Sequence, residues 1–152
     1  MAYLLIKWLH VFSAIVAVGA NVTYGIWLAR AGRNPEALPF TLRGIKLIDD
    51  RIANPAYGLL LVTGLAMAFV GGLSLTTPWL LTALVLYVLV ALIGLLGYTP
   101  TLRRQIEALD REGHESSDYQ ALARRGGRIG MLLGVLVTVI IFLMVVKPGL
   151  WA

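Results

Sequence analysis

The residues of this chain that could do chemistry are few, and they stand out against an apolar background. His10 lies inside a long apolar run, while the second histidine, His114, lies in a polar stretch. At about 1.5 Å per helical residue, His10 falls roughly 10 Å below the nearer membrane surface. A histidine there can bond a neighbouring helix, carry a proton, or ligate a metal or haem iron. No second membrane histidine accompanies it, which argues against a bis-histidine haem. Met67 and Met144 are expected at a similar depth, so His10, Met67 and Met144 could hold haem b through a His/Met pair, or a soft copper ion. Methionine also fills gaps in helical cores, which gives the coincidence an ordinary explanation.

Two further polar groups interrupt the pattern. Lys7, His10 and Asn21, with Ala14, Ala17 and Gly25, fall on one stripe at 3.6 residues per turn. Polar side chains in hydrocarbon are costly, so this stripe is expected to face a bundle interior, with Lys7 able to snorkel to water. Asp49, Asp50 and Arg51 form the second group. They read either as a solvated interfacial helix with local ion pairs, or as a carboxylate locking onto an arginine of another loop. Tyr87, Thr63, Thr82 and Thr138 are expected to bond backbone carbonyls. No phosphate-binding glycine loop, Ser/His/Asp set or zinc spacing occurs. With no cysteine, thiolate metal sites and disulfides are excluded.

The elements that position these residues follow from composition. The 152 residues are 59% hydrophobic and only 14% charged, whereas soluble domains hold about 45–50% apolar and about 25% charged residues. A membrane helix needs about 20 apolar residues, and four segments qualify, at about 3–28, 56–73, 78–98 and 129–146. Their apolar runs are continuous, without the alternation of a β-barrel. The expected fold is all-α: a single domain, 1–152, forming an up-down four-helix transmembrane bundle. The first segment is too long for a signal peptide core and has no basic residue ahead of it.

Of the 13 basic residues, all but Lys7 and Lys147 lie in the two loops that follow the first and third spans. The positive-inside rule makes that side cytoplasmic and both termini external, in a bacterial plasma (inner) membrane. The basic charge then reports topology and attraction to the lipid bilayer, not nucleic acid, since acidic residues are interspersed. Tyr3, Trp79 and Trp151 are expected at the outer interface, and Trp27, Tyr57 and Tyr98 at the inner one.

Both basic loops carry helical pattern. Leu42, Ile45, Ile48 and Ile52 mark one face of a helix over 41–53, either lying at the surface or extending the second span, with a break at Asn54-Pro55. Residues 102–109 prolong the third span. Gly113 ends it, and Ser117 with Gln120 reads as a capping box for the last helix. Gly126, Gly130 and Gly134, like Gly64, Ala68 and Gly72, are spaced by four. Such small residues let helices approach closely in lipid, within the bundle or in a homodimer through the fourth span.

Several short motifs occur in a fixed order: Lys7-Trp8-Leu9-His10-Val11, Asp50-Arg51 with Pro55, Thr63-Gly64-Leu65, Arg103-Arg104-Gln105, and Met144 to Pro148. Together they resemble the bacterial predicted integral membrane family catalogued as domain of unknown function 2269, over nearly the whole chain. The resemblance implies the membrane architecture and no activity. More remotely, Lys7-x-x-His10 is similar to the start of membrane protoporphyrinogen oxidase and of copper-resistance D-type proteins. That would touch only His10 and Lys7.

Three functional readings follow. The first is a non-enzymatic or accessory membrane component, whose stripe in the first span is structural or meets another membrane protein. The second is a haem or copper binder using His10. The third is a bundle that handles lipid or a small solute around Lys7, His10 and Asn21.

Overall fold

The computed structural model describes residues 1–149; Trp151, expected at an interface, lies outside the described residues. Six α-helices follow one another: α1 (Ala2–Ala31), α2 (Leu38–Ile48), α3 (Asn54–Val70), α4 (Pro78–Ile93), α5 (Thr99–Glu112) and α6 (Ser117–Val146). No strand occurs among the described residues. A short 3-10 turn, Pro35–Ala37, leads into α2.

α2 and α3 are one continuous rod, as are α4 and α5, so four helical rods are long and apolar enough to cross a membrane. The expected break at Asn54-Pro55 does not occur. A π-helical turn, Asp49–Ala53, joins α2 to α3, and a second, Gly94–Tyr98, joins α4 to α5. Each runs immediately ahead of a proline, Pro55 or Pro100. In a regular helix each proline ring would meet the carbonyl four residues back, at Arg51 or Leu96. The wider π-turn relieves that clash, and the last donor before each proline bonds five residues back, Asn54 to Asp49 and Thr99 to Gly94.

The capping signal was displaced by one residue. Ser116, with extended backbone, is the N-cap of α6, and its hydroxyl accepts the Tyr119 N–H at 3.2 Å. Ser117 is already helical. Gly113, at φ +80°, closes α5 in a conformation a side chain would strain.

The rods pair as two hairpins. α1 packs along α3, and α4 along α6, each pair in close backbone approach. Between the hairpins, no Cα of α3 lies within 8 Å of one of α4, nor one of α3 near α6, nor one of α1 near α4. The hairpins meet at the end that carries the basic loops. There Tyr24, Leu38, Leu42, Ile45, Tyr98, Leu102 and Tyr119 form a buried core. Arg43 closes its rim by donating to both Asp110 oxygens at 2.8 and 2.9 Å.

The amphipathic face of the first loop therefore packs inward as Leu38, Leu42 and Ile45, and the rod extends the second span. Ile52 does not belong to that face and is 47% exposed. Asp49, seven residues after Leu42, continues that face, and the π-turn then shifts the register so that Ala53 points in where Ile52 would in an unbroken α-helix. Toward the opposite end the rods present Leu4, Leu5, Ile15, Val62 and Val145 outward. Such a surface is stable only against hydrocarbon.

Candidate functional site

The gap between the hairpins is a cleft with two chambers. The chamber at the basic end has a volume of about 700 Å³, and the other about 490 Å³. Tyr57, Leu61, Tyr87, Val18, Val90 and Val137 line both and so form the partition. The partition is hydrogen-bonded. Asn21 donates to the Tyr57 hydroxyl at 3.1 Å, across the α1–α3 seam. Tyr87 on α4 donates to the Tyr57 carbonyl on α3 at 2.6 Å, across the cleft itself. Thr63, Thr82 and Thr138 bond carbonyls of their own helices.

His10 stands in the wall of the smaller chamber, with Met67 and Met144. Its Nδ1 lies 3.0 Å from the Thr63 hydroxyl, which itself donates to the Leu59 carbonyl at 2.7 Å. Thr63 thereby ties the imidazole to the backbone of α3, with the direction of the His10–Thr63 bond set by the imidazole tautomer. Gly64 explains how the imidazole fits. A Cβ there would lie 3.0 Å from His10 Cε1, closer than side chains tolerate. This chamber is otherwise apolar, walled by Trp79, Leu80, Leu84 and Ile140 among others. Lys147 sits 5.5 Å above the Trp79 ring at its mouth.

Lys7 does not share the interior stripe; it is exposed. The inward face of α1 runs through His10, Ser13, Ala17, Asn21 and Tyr24, with Gly25 beside Tyr24 in the lining of the larger chamber. Lys7, one turn before His10, gains by reaching water instead.

The larger chamber is the more polar. Asp49, Asn54, Thr99, Asn21 and Tyr24 are in its lining. Asp49 is only 5% exposed, so it is not a member of a solvated cluster. Its Oδ2 accepts from Asn54 Nδ2 and from Thr99 Oγ1, each at 3.3 Å. No arginine pairs with it, and the ion pair that does cross between the two basic loops is Arg43–Asp110. Asp50, by contrast, is exposed and pairs with Lys46 one turn back. Helix spacing accounts for the difference: Asp49 follows Leu42 by seven residues and Ile45 by four, on the inward face, while Asp50 is turned a further ~100° away.

Tyr24 is 3% exposed, and its hydroxyl is the one buried side-chain polar atom among the described residues without a partner. The sequence reading missed it. A three- and four-residue step from Asn21 reaches both Tyr24 and Gly25, and only packing selects between them. Tyr57 and Tyr98 likewise turn inward rather than join an interfacial belt.

Glycines from all four rods line this chamber. At Gly25, Gly58, Gly94 and Gly134 an added Cβ would meet nothing within 4 Å. These glycines keep space open instead of bringing backbones together. Gly126 and Gly130 do pack within the chain, with a Cβ position 3.7 Å from Gln105 Oε1 and 3.9 Å from Tyr98 respectively.

A family profile described as "Predicted integral membrane protein (DUF2269)" matches residues 4–148. The chain belongs to that family. It is an integral membrane protein, and the cleft accordingly lies among membrane-crossing helices. No curated protein and no solved structure matches it.

Proposed function

We propose that this DUF2269 protein binds a membrane-soluble amphiphile in the cleft between its two hairpins. This is the lipid or small-solute reading, as a non-enzymatic component of the membrane. The observation that carries it is the failure of the hairpins to close. In a bundle of this size, apolar helices gain dispersion energy by packing to near-crystalline density. Here glycines face an open gap, and a tyrosine–tyrosine strut holds it at its middle. The gap is apolar at one end and polar at the other, the pattern of an acyl chain with a head group.

The basic residues support an orientation with the polar chamber toward the cytoplasm of a bacterial cell, and both termini outside. A cysteine placed in the loop 71–77 would then be labelled by an impermeant reagent from outside; labelling only from inside reverses the assignment.

The amphiphile reading is tested by native mass spectrometry of the protein purified in mild detergent. Wild type retains a lipid-sized adduct through delipidation. Gly134→Phe, whose Cβ meets nothing within 4 Å and whose ring would occupy the chamber, loses it. Equal loss from both proteins overturns the reading.

A second reading rests on one observation: His10, Met67 and Met144 line one chamber. One imidazole and two thioethers are a donor set for a soft copper ion, more than for haem b with two histidines. Titration with a Cu(I) chelate competitor tests it. His10→Leu abolishes uptake if the reading holds, and absence of uptake by wild type removes it.

A further inference from the structure

The polar end of the larger chamber carries an unbalanced charge. Asp49 is buried, and among the described residues no Lys or Arg nitrogen lies within 4.0 Å of its carboxylate. Its two hydrogen bonds are both long and both fall on Oδ2, while no partner is found for Oδ1. Of the cations on the same rod, Lys46 is engaged with Asp50 and Arg43 with Asp110, and Arg51 is turned to the exposed side. Close by in the chamber lining, the buried Tyr24 hydroxyl has neither donor nor acceptor. Buried carboxylates are ordinarily paired, and buried hydroxyls ordinarily bonded. Both omissions occur in one chamber, which glycines of every rod keep open.

We infer that the larger chamber takes the head group of a lipophilic amine, a protonated ammonium carried on an aliphatic chain. The ammonium presents three donors and a positive charge, which is what Asp49 Oδ1 lacks. Thr99 and Asn54 hold Asp49 from behind and orient it. The aliphatic chain runs between Val90, Val137 and Leu61 toward the smaller chamber. Anionic amphiphiles are disfavoured, because a second carboxylate against Asp49 would repel it. The assignment rests on the cleft reading above and specifies its ligand.

The test uses the full chain in phosphatidylcholine nanodiscs with three probes of equal chain length: dodecylamine, dodecanol and dodecanoate. Binding is read from thermal stabilisation and equilibrium titration. Dodecylamine is expected to bind wild type at least about tenfold more tightly than dodecanol, the scale of one charge-assisted hydrogen bond. Dodecanoate is expected to bind weakest. Asp49→Asn keeps the shape and removes the charge, so it abolishes the preference while dodecanol binding stays within about twofold. Equal binding of amine and alcohol, or an amine preference that survives Asp49→Asn, overturns the head-group assignment. In either case the cleft reading survives if Gly134→Phe abolishes binding of the probes. If Gly134→Phe leaves all three probes bound as in wild type, both readings fall.

Discussion

Two inward-facing polar groups, one half-buried and one buried, sit at different depths of this bundle and are treated in opposite ways. His10 lies within one hairpin, in the α1–α3 seam, where Thr63 holds it and Gly64 makes room for its ring. Asp49 lies between the hairpins, held at longer distance by Asn54 and Thr99, beside a tyrosine that has no partner. The first is a finished contact that fastens two helices. The second is an unfinished one that holds two hairpins near each other without satisfying its own charge. Incomplete satisfaction of this kind is a stability cost, and folds retain such costs where a ligand completes the site.

The contrast can be broken most severely at the finished site. Gly64→Leu drives a side chain into the His10 ring and is expected to cost about 3 kcal/mol, read as a lowered melting temperature in detergent. His10→Ala in the same chain should restore part of that loss. If the double variant is no better, the two residues are not in contact. Thr63→Val removes the hydroxyl that meets His10 and should cost about 1–2 kcal/mol by leaving a buried ring nitrogen unbonded.

At the unfinished site the sign reverses. Asp49→Asn removes a charge that no cation offsets, and Tyr24→Phe removes a hydroxyl that nothing bonds. Each is expected to leave stability unchanged or raise it by up to about 1 kcal/mol. A loss of more than about 1 kcal/mol in either would mean that this site, too, is structural. The smallest effect is expected at Arg43→Ala. Its ion pair with Asp110 is 58% and 46% exposed, so the loss should stay under about 1 kcal/mol and vanish in high salt.

Much of this could be read from the sequence, because it depends on local composition. Apolar runs long enough to cross a bilayer marked the four rods, and Gly113 marked the end of α5. Leu42 and Ile45 declared their inward face by spacing alone. His10 declared itself by being polar where polarity is costly. Asp49 was less legible, since it adjoins Asp50 and the two look alike in sequence. The available signal was spacing: Asp49 follows Leu42 by seven residues and Ile45 by four, and so shares their inward face. The two prolines, each just after a polar residue, Asn54 or Thr99, force a local departure from α geometry. Reading them as breaks hid the fact that a π-turn absorbs them.

The sequence by itself therefore determined a four-rod membrane architecture, the segregation of charge to one end, and the poverty of candidate chemistry. Those follow from the water-to-lipid transfer energies of individual residues, which act one position at a time. The tertiary structure alone decided that the rods pair as two separate hairpins. It also decided that Tyr24 and Asp49 share an incompletely bonded chamber, and that Gly134, spaced as if for close packing, instead lines an open space. Those depend on which faces meet across distant parts of the chain, and a glycine that admits a neighbour is identical in sequence to one that leaves room for a ligand.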